Sequence, residues 1–185
     1  MYYADCTCIG RVDLKKGRAK RMHIKNISRR NWPEWSPEVI RTMRRVFPRN
    51  LWWTKANFTD SFKDEKCIAR LATIEGKFAG FSLGIYDKAP DKTLITSTKR
   101  KKIIHIYYIF LDQPYLHKGY GYLLLKDFAA KAQAGGYHAI TVFAKLGPSV
   151  RNLQKLGARR QKVFEDFYET GETYIFCSME LAYKK

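Results

Sequence analysis

The sequence predicts an α/β (α+β) domain: a central mixed, mostly antiparallel sheet of six to seven strands, flanked by about four helices. Three observations carry this. Apolar runs of strand length recur along the chain, most strongly over residues 103–111 (IIHIYYIFL). Two pairs of runs are joined by turn signals, Glu75-Gly76-Lys77 and Glu169-Thr170-Gly171-Glu172, which is the pattern of antiparallel hairpins. Between strands lie segments of helical periodicity with recognisable start and stop residues. At 185 residues, 45% hydrophobic and 15% aromatic, the chain has the material for one packed core and too little length for two full domains. Residues 1–185 are therefore expected to form a single domain, preceded by a basic arm over about residues 1–20.

Met22, Ile24 and Ile27, set in a basic stretch over residues 11–30, predict a short first strand. Ser36-Pro37-Glu38 predicts a helix start, with serine as N-cap and proline at the first position. That helix carries Val39, Ile40, Met43 and Val46 on one stripe and ends before Pro48. A second short helix is expected near residues 58–65. The four tryptophans, Trp32, Trp35, Trp52 and Trp53, are expected to flank these helices. Residues 67–74 and 78–86 form the first hairpin, residues 88–102 an exposed lysine-rich loop, and residues 103–111 a central strand. A helix bearing Leu124, Phe128 and Ala132 follows, stopped by Gly135-Gly136. Residues 138–144 read as a strand, Pro148 to Leu156 as a helix closed by Gly157, and residues 160–168 with 173–182 as a last hairpin.

The charge bounds the partners. Thirty-five Lys+Arg against 17 Asp+Glu give a net charge of +18, which attracts phosphates and repels polycations. No run of about 18 apolar residues is present to span a membrane, and the first residues lack a secretory signal pattern. Cys6 and Cys8 offer two ligands, with His23 as a third, where a closed zinc site takes four. No metal is expected, and four dispersed cysteines fit a reduced, cytoplasmic protein.

Chemistry concentrates after the central strand. Leu116-His117-Lys118-Gly119-Tyr120-Gly121 leads from strand to helix, and such a turn presents backbone N–H groups and the positive end of a helix dipole to an anion. Glycines at 119 and 121 let the backbone approach a diphosphate, while His117 and Lys118 add side-chain donors. A tight turn of purely structural purpose has the same two glycines.

In its context the segment resembles the signature of the GNAT superfamily of acyl-CoA N-acyltransferases, Gln/Arg-x-x-Gly-x-Gly/Ala, matching at both glycines and departing at Leu116. Leu153-Gln154-Lys155-Leu156-Gly157-Ala158 likewise resembles that family's Tyr-x-Lys-x-Gly-Phe ending of the fourth helix. The element order agrees over about residues 20–182, whereas a dinucleotide fold has its glycines on a first strand at a different spacing. The resemblance implies an acetyltransferase domain that takes acetyl-CoA, with Phe110, Leu111, Leu116, His117, Lys118, Gly119, Tyr120, Gly121 and Tyr122 around the cofactor. It also implies direct attack by a primary amine in a ternary complex, with a backbone N–H near Phe110 or Leu111 polarising the thioester carbonyl. Leu116 removes one polar side chain from the diphosphate site and implies weaker binding.

His105 lies eleven residues before Leu116, the offset at which the histone-acetyltransferase branch carries its base, and an imidazole suits that role. A packed strand histidine is the other reading. The family's acid, a tyrosine on the fourth helix, is replaced by Leu153. Tyr107, Tyr168 and Tyr174 are substitutes, or the thiolate leaves unassisted. A third reading is a protein that binds the cofactor without turning it over. Trp32, Trp35 and Trp53 are candidate walls of an acceptor pocket, or pack the edge of the core.

The acceptor is not written in the motif. A +18 charge disfavours polyamines and basic tails and favours a neutral or acidic amine, or one attached to nucleic acid such as aminoacyl-tRNA; protein and small-molecule amines stay open. RNA or another polyanion is an expected partner, and the state is monomer or homodimer. The rival class is a non-catalytic basic nucleic-acid-binding protein, which explains the charge and the aromatics but not the strand–turn–helix unit.

Overall fold

The computed structural model describes residues 8–10, 20–63, 66–87, 102–169 and 171–181. The strands are β1 (Cys8–Gly10), β2 (Met22–Asn26), β3 (Ile68–Ile74), β4 (Lys77–Asp87), β5 (Ile103–Leu111), β6 (Ala139–Lys145), β7 (Arg159–Glu165) and β8 (Thr173–Glu180). The helices are α1 (Trp32–Val46), α2 (Lys55–Ser61), α3 (Tyr120–Ala134) and α4 (Pro148–Lys155). One eight-stranded sheet runs β1-β2-β3-β4-β5-β6-β8-β7. Every neighbouring pair is antiparallel except β5 with β6.

Three expectations are corrected here. Residues 8–10 are a strand paired to β2, so part of the expected arm belongs to the sheet and adds an eighth strand. Helix α1 starts at Trp32, a turn before Ser36-Pro37, which puts Trp32 and Trp35 inside the helix. Pro33 supplies the early start, and Pro37, four residues on, has no N–H for its carbonyl. The Ser36 hydroxyl donates to that carbonyl instead, at 3.3 Å, so the second proline does not break the helix. Helix α2 begins at Lys55, not near 58, because Thr54 and Asn57 form a reciprocal capping box. The expected lysine-rich loop, apart from Lys102, lies outside the described residues, as does Cys6. Among the described residues, no helix is long and apolar enough to cross a membrane.

Helices α1 and α2 cover one face of the sheet, burying Trp32, Val39, Met43 and Phe58 against Leu71, Phe81, Leu83, Tyr108 and Phe110. Helices α3 and α4 cover the other, burying Leu125, Phe128, Val150 and Leu153 against Ile104, Ile106, Ile140, Val142 and Ile175. A β-bulge decides which side chains of β5 face which layer. Leu83 pairs with Tyr108 and Gly84 with Ile106, leaving Tyr107 as the extra residue. Before the bulge the even residues Ile104 and Ile106 face α3 and α4; after it Ile109 and Leu111 do. Tyr107 and Tyr108 consequently both lie on the α1–α2 side, where the ring of Trp53 contacts both.

Helix α3 is fixed to the sheet by a buried ion pair. The Arg70 guanidinium on β3 donates from Nε and Nη2 to the two Asp127 carboxylate oxygens at 2.5 and 3.0 Å, and from Nη1 to Asn26 Oδ1 on β2.

Candidate active site

The two parallel strands at the centre of the sheet come apart halfway. β5 and β6 pair from Ile103↔Ala139 to Ile106↔Val142 and no further. Beyond that point, residues 108–111 of β5 keep their pairing with β4. Phe143, Ala144 and Lys145 of β6 pair only with β8. The carboxyl ends of the two strands therefore bound a slot in the sheet, the place where open α/β sheets receive ligands.

The slot's β5 edge presents defined backbone donors. The Asp112 N–H donates to the Ala79 carbonyl on the β4 side at 2.9 Å. Alternation along an extended strand then turns the Phe110 N–H toward β4 as well, and those of Ile109 and Leu111 toward the slot. This corrects the placement of Phe110 beside a cofactor. Its N–H belongs to the β4 ladder, and its buried ring packs edge-on to Phe47 and against Phe81. It brings in Ile109, which the sequence reading missed.

The chain turns at the slot's open end. His117 has φ 59° and Gly119 has φ 80°, and Gly119 is the N-cap of α3. Among the described residues, the N–H groups of His117, Lys118, Gly119, Tyr120 and Gly121 have no hydrogen-bond acceptor. No acidic residue occupies the first turn of α3. Unpaired donors at a helix N-terminus are a place where an anion can be held, a candidate cradle. Gly119 is required by its left-handed backbone. Gly121 is not: a β-carbon there would meet only Asn152 Nδ2 at 3.6 Å and Leu111 Cδ1 at 3.7 Å, ordinary contact distances. Packing within the protein therefore does not require a glycine at this position. Asn152, a polar side chain of α4 beside Gly121, is a second residue the sequence reading missed.

Other predicted contacts are committed elsewhere. The Leu116 N–H donates to the Gln113 carbonyl and the Tyr122 N–H to the Gly119 carbonyl. Tyr120 is 2% exposed and its hydroxyl donates to the Lys20 carbonyl, so only its backbone N–H faces the cradle. The Lys118 ammonium donates to the Pro114 carbonyl at 2.8 Å. The side chains of Leu116 and His117 are exposed.

On the α1–α2 side an aromatic wall lines the slot. The ring of His105 stands edge-on to Tyr107 at 5.0 Å and against Phe143 at 5.8 Å. Its Nδ1 is 2.9 Å from the Thr141 hydroxyl. Burial pulls the imidazole down to about 4, with Asp87 opposing weakly, so it is neutral at pH 7 and a weak proton acceptor. Tyr107 is half exposed and Tyr168 packs on Phe143, Phe167 and Tyr174. Burial pushes the Tyr107 phenol up, and that of Tyr168 up to about 12, so both keep their protons at neutral pH. The segment from Arg49 to Trp53 bridges this wall: the Asn50 amide donates to the Tyr168 carbonyl, and the Tyr108 hydroxyl to the Leu51 carbonyl.

The tryptophans divide. Trp53 stands on the wall. Trp32 does not, since it is 1% exposed and enclosed by Phe58, Phe62 and Phe81; it is core. Trp35 lies under the Lys25 ammonium and lines a different cavity of about 550 Å³ with Glu34, Phe78, Asp112 and Tyr115. Leu153 is buried in the core on the α3–α4 side, so the fourth helix presents no acid at that position.

Comparison with known proteins agrees with the fold. Solved structures of the same fold include the ribosomal-protein-S18-alanine N-acetyltransferase from Escherichia coli, at 15% identity and a TM-score of 0.64 over 89% of this chain and 96% of that one. The NatC complex bound to Gag peptide and CoA matches at 12% identity and a TM-score of 0.70, over 87% and 99% of the two chains. Arabidopsis thaliana NAA60 in complex with acetyl-CoA matches at 12% and 0.68, over 86% and 99%. No curated protein sequence matches significantly. The profile of the Acetyltransferase (GNAT) family matches residues 24–158, and the chain belongs to that family.

Proposed function

We propose that the protein is an acetyl-CoA-dependent N-acetyltransferase in which a primary amine attacks the bound thioester directly. The observation that carries this reading is the half-open β5–β6 pair ending at five free N–H groups. One opening accommodates an extended thioester chain, and the adjoining cradle accommodates a diphosphate. Acetyl-CoA, held in NAA60 of the same fold, has both parts and supplies an activated acetyl group.

The chain's own residues divide the work. The N–H groups of residues 117–121 hold the diphosphate, with Gly121 admitting it and Asn152 beside it. The Leu111 N–H binds the extended arm, and the Ile109 N–H donates to the thioester oxygen, where negative charge develops during transfer. As the C–N bond forms and the C–S bond breaks, Tyr107 or Tyr168 can give its proton to the departing sulfur, and the proton lost by the nitrogen, passed through water, restores the phenol. His105 is held by burial well below an ordinary imidazole, at about 4. It positions the wall through Thr141 and Tyr107 rather than serving as the main base. The acceptor must therefore arrive largely neutral. An α-amine with pKa about 8 is neutral in a substantial fraction at pH 7.5, whereas an ε-amine with pKa about 10.4 is neutral to about one part in a thousand.

The test is acceptor-dependent thiol release from acetyl-CoA, measured at pH 7.5 over a panel of free amino acid amides, peptides with free α-amines and lysine-only peptides. Release with an α-amine, and at least tenfold less with lysine-only peptides, is expected. Absence of acceptor-dependent release across the panel overturns the reading, and a preference for lysine returns His105 to the role of base.

A further inference from the structure

The charge of +18 is not evenly spread. Between Glu38 and Asp60 the chain has five cations, Arg41, Arg44, Arg45, Arg49 and Lys55, and no acid. All five are exposed, and among the described residues only Arg45 is engaged in an ion pair, with Asp112. Arg41, Arg44 and Lys55 line one groove of about 370 Å³ between α1 and the start of α2, floored by Pro37 and Ile40. At its edge Trp52 is 37% exposed, with the Arg44 guanidinium 5.7 Å from its ring centre. The next residue, Trp53, turns inward onto Tyr107 and Tyr108 at the slot. Other basic stretches are Lys20, Arg21, Lys25, Arg29 and Arg30 around β2, and Arg159, Arg160 and Lys162 on β7, the last followed closely by Glu165, Asp166, Glu169 and Glu172.

We propose that the α1–α2 groove and Trp52 form a docking surface for single-stranded nucleic acid, with Arg41, Arg44 and Lys55 on successive phosphates and a base stacked on Trp52. Cations alone would serve any polyanion. An exposed indole with an arginine beside it adds a flat apolar platform, which bases use and sulfated sugars do not. A duplex hides its base faces, and so does not use the platform. This docking does not depend on the acyltransferase reading.

The test measures anisotropy of a fluorescein-labelled single-stranded RNA of about 12 nucleotides, titrated with the full chain at several salt concentrations. Three or four phosphate contacts give log K against log salt a slope of about −2 to −3. The double variant Arg44→Ala/Lys55→Ala is expected to weaken binding at least tenfold and to make the slope shallower by about 1.4. Trp52→Ala is expected to weaken it about fivefold or more with the slope unchanged. Arg159→Ala/Arg160→Ala, equal in charge removed, is expected to bind as the unaltered protein does. Every substituted side chain is exposed, and a thermal-unfolding scan of each variant is the control for folding. The proposal is overturned if the β7 variant weakens binding as much as the groove variant, or if Trp52→Ala has no effect. It is equally overturned if heparin or anionic phospholipid vesicles bind as tightly as the RNA, or if no RNA binds. Calorimetry with acetyl-CoA on the same samples reads the catalytic proposal separately.

Discussion

Replacing Gly121 by alanine separates a glycine kept for the fold from one kept for a ligand. The β-carbon would sit 3.6 and 3.7 Å from Asn152 and Leu111, so nothing in the protein must move. Alanine in the first turn of α3 also has the better helix propensity. The folded chain should therefore gain about 0.5–1 kcal/mol, seen as a melting temperature higher by about 1–4 °C for a chain of this size. The added methyl group occupies the space in front of the free N–H groups of residues 117–121. Displacing a diphosphate from even two such charge-assisted bonds costs about 3 kcal/mol, or a loss of about a hundredfold in acetyl-CoA affinity. Calorimetry and differential scanning fluorimetry on one sample read both quantities. A variant that is as stable as predicted yet binds acetyl-CoA normally would refute the assignment of the cradle. A variant that unfolds would show that Gly121 serves the fold.

Further expectations follow from the same geometry. Gly119→Ala, at φ 80°, should destabilise the fold by about 1–2 kcal/mol, lowering the melting temperature where Gly121→Ala raises it. Asp127→Ala leaves Arg70 buried without its partner, on side chains only 3% and 2% exposed. It should cost about 3–5 kcal/mol, and an unchanged denaturant midpoint would remove the pair from its place in fixing α3. His105 is held at about 4 when folded against about 6.5 when unfolded. The unfolded state thus binds the extra proton first, and stability is lost as pH falls from about 6.5 to 4. His105→Asn should flatten that part of the stability profile; parallel profiles would mean that the imidazole is hydrated in the folded state. For the same reason His105→Ala should lower kcat without moving a limb of the rate profile between pH 6 and 9.

The central strand, the glycine turn, α3 and both hairpins were legible because each rests on local signals: β-branched runs, turn glycines, a helical stripe. The start of α1 was not, because a proline at 37 normally begins a helix, and only the Ser36 hydroxyl on the Pro33 carbonyl lets it sit inside one. The bulge at Tyr107 was invisible because Tyr107 and Tyr108 are the same residue type, so the sequence carries no mark of the skipped position. The resemblance that points to a donor near Phe110 or Leu111 carries no register, so it cannot tell the N–H groups bonded to β4 from those of Ile109 and Leu111 on the other edge. Trp32 and Trp53 look alike in sequence; only the packing of α1 on Phe58 and Phe81 separates the buried ring from the one at the slot. Asn152 had no local signal, since its place beside Gly121 depends on how α4 meets α3.

The most direct measurement is a calorimetric titration of the purified protein with acetyl-CoA at two salt concentrations, with ATP as a polyanion of comparable charge. A backbone cradle joined to a slot predicts micromolar binding that is selective for acetyl-CoA and changes little with salt. Binding that ATP matches and salt abolishes would contradict it, and would leave the open β5–β6 pair and the glycine turn as features of the fold alone.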